Sequence, residues 1–224
     1  MARPRTNDID ALLDVAEQLA TAAGPGGLTL RGLADAAGVS NGSIYHAFSS
    51  KEELLAKVWI RAARRLLAEQ DDRVSAAIEG RASVAQADDA VVAAALWPVE
   101  FAIARPAAAR LFFGQRRDQL FSEEDLSAEV TDELEAVQAA FTQVLVLLAR
   151  ARWNRADRVA VETIAACIVD IPGGLMQRRL ASGAPLDAQV AAQVEAACRA
   201  ILALEPPPAP VRKSRSAQQK ERRS

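Results

Sequence analysis

Histidine and cysteine, the side chains most used to hold transition metals, number only one and two in this 224-residue chain, and they are scattered. His46 is the single histidine, which excludes a histidine-cluster metal site. Cys167 and Cys198 stand in alanine-rich apolar surroundings with no further Cys or His at ligand spacing, so they read as buried small hydrophobes. One histidine and dispersed serines assemble no nucleophile, base and orienter, and no acid pair stands out. An enzyme is therefore disfavoured, and no cofactor is expected. What remains is non-covalent chemistry. Ser40, Asn41, Gly42, Ser43, Tyr45 and His46 form a short run of hydrogen-bonding groups without an acidic residue.

The elements around that run explain how it would be presented. Thr29 is placed to N-cap a short helix carrying Leu30, Leu33, Ala34 and Ala37 on one face. Gly38 ends it, since a tight turn needs positive φ and glycine adopts it at little cost. Ser40 caps a second short helix bearing Ile44 and Phe48. Ala34 is small enough for a steep crossing, and Val39 and Ile44 are expected to fill the wedge between the helices. The polar run then lies on or near the outer face, a geometry that suits the DNA major groove. Ser50 with Glu53 predicts a capping box opening a much longer helix.

The wider composition agrees with a helical protein. Half the chain is hydrophobic, and 49 residues are alanine against 9 isoleucine and 6 threonine, a balance that favours helix over strand. The expected class is all-α. A first amphipathic helix runs to Ala23 and is expected to stop at Gly24, Pro25, Gly26, Gly27. Later helices are predicted at about 84–104, 107–114, 126–152, 156–182 and 186–204, with kinks at Pro98 and at the Ile171–Gly174 run. The longest charge-free apolar stretch, Ala136–Ala149, is short for a bilayer-spanning helix, and no secretory leader is read at the N-terminus. These readings point to a cytoplasmic protein without membrane contact.

The formal net charge of −2 averages unlike parts. Residues 206–224 hold six basic residues and one acid, net +5, which leaves −7 for residues 1–205. The domain organisation read from these signals is a helix-turn-helix domain over 1–50, a helical domain over 51–205, and a proline-rich, then basic, disordered tail over 206–224.

Thr29, Leu30, Arg31, Leu33, Ala34, Ala37, Gly38, Val39, Ser40, Gly42, Ser43, Ile44, Tyr45, Phe48, Ser50, Lys51, Glu52, Glu53 and Leu54 follow a nearly continuous pattern. Over residues 8 to about 60 it resembles the DNA-binding domain of the TetR family. The resemblance implies a three-helix DNA-binding domain followed by a helical ligand-binding and dimerisation domain. It also implies a homodimeric cytosolic repressor that leaves a palindromic operator when a small molecule binds. Carried onto matching positions, Ser40, Asn41, Gly42, Ser43 and His46 would face base edges, Tyr45 and Lys51 would reach phosphates, and Thr29 and Arg31 would touch the flanking backbone. Two residues depart from the pattern: Gly32 replaces an acidic capping residue, and Ala47 replaces a bulky polar one.

In the second domain Trp97, Phe101, Phe113 and Phe141 are candidates for lining a pocket, with Gln138 and Asp170 to orient a polar group on a mostly apolar ligand. Plain core packing is the alternative for each of them. Val190, Val194, Ala197 and Ile201 form one apolar stripe and Ile164, Ile168 and Ile171 another, read as a four-helix dimer interface. Two rival functions stay open: a DNA-binding dimer that needs no ligand, and a helical enzyme or protein-interaction bundle.

Overall fold

The computed structural model describes residues 6–78, 82–114, 116–204 and 208. The Arg3 and Arg5 arm and almost all of the proline-rich, basic tail lie outside the described residues. Among the described residues there is no strand. The N-terminal elements are α1 (Thr6–Gly27), α2 (Leu30–Ala37), α3 (Asn41–Ala47) and α4 (Lys51–Ala77). They are followed by α5 (Val84–Ala104), α6 (Pro106–Phe113), α7 (Arg117–Leu120), a 3-10 turn (Glu123–Asp125) and α8 (Ala128–Trp153). Then come α9 (Arg158–Ala165), a π turn (Ala166–Asp170), α10 (Ile171–Ser182) and α11 (Ala188–Leu202).

The helix boundaries expected from periodicity match closely for α5, α6, α8, α9–α10 and α11, while the short α7 and the 3-10 turn carry too few residues to show a period. One boundary differs. α1 continues through Gly24–Gly27 instead of stopping at Ala23. The described glycines with left-handed φ are Gly38 and Gly183, so the expected turn residues keep right-handed helical angles. The chain leaves α1 only where Leu28 enters the core, fully buried.

Proline acts differently at its two interior sites. Pro98 sits within α5 without ending it. Before Pro172 the rod from Arg158 to Ser182 widens into a π turn, and Ile171 N–H donates to the carbonyl of Ala166 five residues back. The wider turn shifts the ladder by one residue just ahead of a residue that has no N–H to give.

Three packed clusters make the interior. Leu13, Ala16, Leu33, Ile44 and Phe48 of the N-terminal helices join Phe121, Val130 and Leu134 in one. Val91, Val99, Leu148, Ile164, Met176, Val190 and Val194 build another from α5, α8, α9, α10 and α11. Trp97, Phe101, Ala62, Leu66 and Ala108 form the third. α4 contributes to all three. Ala128–Trp153 and Arg158–Ser182 are long and apolar enough, by length and composition, to cross a membrane, which the charge-free-stretch argument did not anticipate. In the fold both lay their apolar faces into the α5 core.

The two cysteines meet inside that core, both fully buried. Their shared hydrogen bond, together with burial, holds the Cys198 thiol far above the ordinary thiol range. The same hydrogen bond favours the Cys167 thiolate, so it is burial of both sulfurs away from reagents that should keep the pair inert. Iodoacetamide at pH 8 is expected to leave the native protein unlabelled over the time in which it modifies both cysteines of the urea-unfolded chain. Native labelling at the unfolded rate would contradict the packing.

Candidate nucleic-acid interface and apolar cavity

Local capping sets the geometry of α2 and α3. Thr29 has extended backbone angles, and its Oγ1 accepts from Gly32 N–H at 2.9 Å, so α2 is capped without the missing acidic residue. Gly38 closes α2 with φ 67° and ψ 29°, and its N–H reaches the Ala34 carbonyl. The Ser40 Oγ accepts from Ser43 N–H at 3.1 Å and lies 2.8 Å from the Ser43 hydroxyl. Behind these caps Ile44 and Phe48 are fully buried, as is Leu33. Their burial fixes which face of α3 points outward.

That outward face carries the expected residues. Thr29, Arg31, Ser40, Asn41, Gly42, Ser43, Tyr45 and His46 are all exposed, Tyr45 to 60%. Val39 was expected in the wedge but is also exposed, because Gly38 and Val39 N–H both turn back onto the Ala34 carbonyl and carry the side chain outward. Lys51 is half-buried, and its Nζ donates to the Gly26 carbonyl at 3.2 Å, at the C-terminal end of α1.

Three acids of the N-terminal helices, Asp14, Glu17 and Glu53, are engaged elsewhere. Arg61 of α4 binds Glu17 at 2.7 Å and Asp14 at 2.9 Å, and its guanidinium also donates to the Asp10 carbonyl at 2.9 Å. Arg65 lies 3.7 Å from Glu17. Glu53 is nearly buried and does not form the expected reciprocal box with Ser50. The Ser50 hydroxyl does accept from Glu53 N–H at 3.0 Å, but the Glu53 carboxylate turns to Ser49 N–H at 3.0 Å and to the Ser49 hydroxyl. Its second oxygen accepts from the Ser127 hydroxyl at 3.0 Å, and Ser127 is the N-cap of α8. One carboxylate thus ties together the starts of two helices, where negative charge is stabilised.

An apolar cavity of about 230 Å³ lies between α4, α5, α6, α8 and the π-turn end of α9–α10. Of the residues expected to line a pocket, Phe113, Gln138 and Phe141 do so. Trp97 and Phe101 do not: the Trp97 indole N–H donates to the Leu66 carbonyl at 2.8 Å, Arg73 stacks 4.3 Å from its ring centroid, and Phe101 packs edge-on beside it. Both are consumed by the core. Asp170, at the end of the π turn, is exposed and lies outside the lining. Sequence reasoning missed Trp59, which stacks on Phe112 at 4.8 Å, and Gln70. Pro98 and Pro172, read there as kinks, reach the wall as well. Helical phase along α4 puts Trp59, Ala63, Leu66, Leu67 and Gln70 on one side, a signal that was available but ambiguous with core packing.

A wider open cleft of about 670 Å³ is lined by Arg152, Arg155 and Arg199 beside Asp88. Those guanidinium groups are already paired, Arg152 with Asp88, Arg155 with Asp157, and Arg199 with Glu195 and Asp89.

The expected dimer stripe divides. Ile164, Ile168, Val190 and Val194 are buried in the chain's own core, so no second copy can touch them. Ile171, Ala197 and Ile201 are half-buried. A period of 3.6 reports that a face is covered, and here α5 covers it.

Residues 12–58 match the profile of the bacterial regulatory proteins of the tetR family. Over that segment the chain is similar to the DNA-binding domain of that family. Beyond it, the fold follows that of solved TetR-like structures along nearly the whole chain. The fatty acid degradation regulator FadR from Bacillus halodurans superposes with a TM-score of 0.63 at 16% identity, covering 89% of this chain and 97% of that one. A putative TetR-family transcriptional regulator from Mesorhizobium loti gives 0.64 at 13% identity, covering 90% and 98%. The transcriptional regulator FadR from Bacillus subtilis, solved in complex with stearoyl-CoA, gives 0.62 at 13% identity, covering 86% and 97%. Comparison with curated proteins returned no match.

Gly38 is the pivot of the turn between α2 and α3. A Cβ there would meet nothing within 4 Å, so the cost of Gly38→Ala is purely conformational. The substitution should destabilise the protein by about 1–2 kcal/mol, read as a lower urea midpoint with an unchanged m-value.

Proposed function

We propose that this chain is a homodimeric transcriptional repressor that binds a palindromic operator through α3 and is released when a small, mostly apolar molecule enters the cavity. The observation that carries the reading is the outer face of α3: Ser43, Tyr45 and His46 are exposed on a helix that holds no acid, while Asp14 and Glu17 of α1 are held by Arg61 and Arg65. In this reading Ser40, Asn41, Gly42, Ser43 and His46 meet base edges, and Tyr45, Thr29 and Arg31 hold phosphates. Lys51 leaves the Gly26 carbonyl for a phosphate when DNA arrives.

Two-fold symmetry is what sets two reading helices about 34–36 Å apart on one DNA face. The outer side of α11 supports a dimer of that kind. Ala188, Ala192, Ala196 and Ala200 are exposed at successive four-residue steps, and small side chains let helix axes approach closely. Ile171, Ala197 and Ile201 border this face and would close over it. The stearoyl-CoA of the Bacillus subtilis neighbour is not carried over, because among the described residues no cation lines the cavity to receive phosphates. A residue as polar as Gln70 within that wall favours the ligand-released reading over a ligand-independent dimer.

Tyr45→Ala and Lys51→Ala are each expected to weaken operator binding without changing the thermal midpoint by more than a degree or two. Lys51→Ala should also reduce the log K against log salt slope by about 1, measured by fluorescence anisotropy. Folded variants that bind as tightly as the parent would remove the phosphate assignments. Ala196→Arg should give a folded monomer by light scattering, and with it a loss of operator affinity; a variant that stays dimeric would move the interface elsewhere.

A further inference from the structure

Pro98 creates a vacancy in the hydrogen bonding of α5. An ordinary residue at that position would donate its N–H to the carbonyl of Ala94, four residues back, and proline has none to give. A carbonyl buried in this way needs a donor from elsewhere. The Gln70 side chain supplies it: Nε2 donates to the Ala94 carbonyl at 3.0 Å. The direction of the amide is therefore decided by chemistry, because a flipped amide would set two oxygens against each other.

Fixing Nε2 against α5 decides the fate of the other end. Gln70 is 2% exposed, stands in the cavity wall, and its Oε1 is buried with no hydrogen-bond partner. An unmet acceptor in an apolar setting costs free energy unless something arrives to donate. Nε2 has a second N–H, but Oε1 is the atom with no partner at all. Among the described residues, the rest of the lining is aromatic and aliphatic apart from Gln138 and contains no ionisable side chain. A carboxylate or phosphate would enter with no cation to receive it, and an ammonium with no anion. The volume is about eight times the share of one liquid water, room for a single ring with a short substituent.

The geometry points to an uncharged, mostly apolar ligand with one O–H or N–H donor, such as a substituted phenol, held by a hydrogen bond to Gln70 Oε1 and by Trp59, Phe112 and Phe141 around its ring. This ligand class rests on the proposal that the cavity is the effector site, and the binding test below uses no DNA so that the two can fail separately.

The test compares 4-ethylphenol, its methyl isostere 4-ethyltoluene and the anion 4-ethylbenzoate by calorimetry on the full chain. The variant is Gln70→Leu combined with Pro98→Ala, in which the restored N–H of residue 98 serves the Ala94 carbonyl and keeps the helix satisfied. The native protein is expected to bind 4-ethylphenol most tightly. In the double variant the preference for 4-ethylphenol over 4-ethyltoluene should fall at least tenfold while 4-ethyltoluene binding persists. An unchanged preference overturns the assignment, as do tightest binding of 4-ethylbenzoate and binding of none of the three. Gln70-dependent binding of 4-ethylphenol, followed by a separate operator titration in which affinity is unaltered, upholds the ligand class and overturns the reading of the cavity as the effector site.

Discussion

The continuity of α4 is the constraint on which the rest of this molecule depends. Its 27 residues make an unbroken rod of roughly 40 Å. Its first turn holds Glu53 between the end of α3 and the start of α8, and its next turns carry Arg61 against α1. Farther along, Trp59, Leu66 and Gln70 form a wall of the cavity, and Val74 enters the core of the second domain. A close-packed interior transmits displacement instead of absorbing it. Any molecule that pushes on the Trp59–Gln70 side therefore pushes on the element that carries α3, without a flexible joint between them among the described residues.

Charge is organised along the same rod. Counted over the whole chain, acids slightly outnumber bases, and such a chain shows no obvious affinity for a polyanion. The pairing of Arg61 and Arg65 with Asp14 and Glu17 changes the meaning of that count, since those carboxylates are neutralised on the side of α1 that faces α4. What matters to an incoming phosphate is the field at the α3 surface, and no acid stands on that helix.

The parts of the fold that were legible in the sequence are those whose causes are local. Thr29, Gly38 and Ser40 act within a few residues, so their capping roles could be read directly, and the exposed face of α3 followed from Ile44 and Phe48. Where the cause was distant, reading fell short. The stripes through Ile164 and Val190 were visible, but a stripe does not say whether its cover is α5 or another chain. Trp97 looked available for a ligand until the Leu66 carbonyl and Arg73 claimed it. Glu53 was seen as a cap, though its second oxygen belongs to Ser127, 74 residues on. Gln70 drew no notice, because a glutamine in a helix acquires significance only from what lies across from it.

That last residue also bears on how this protein can change over generations. Pro98 and Gln70 satisfy one carbonyl between them, so neither is selectively independent of the other. Losing the glutamine first strands the Ala94 carbonyl; losing the proline first frees the glutamine to turn. The two positions should drift as a linked pair, and a lineage that gives up the proline is one in which the chemical preference of the cavity is free to be rewritten.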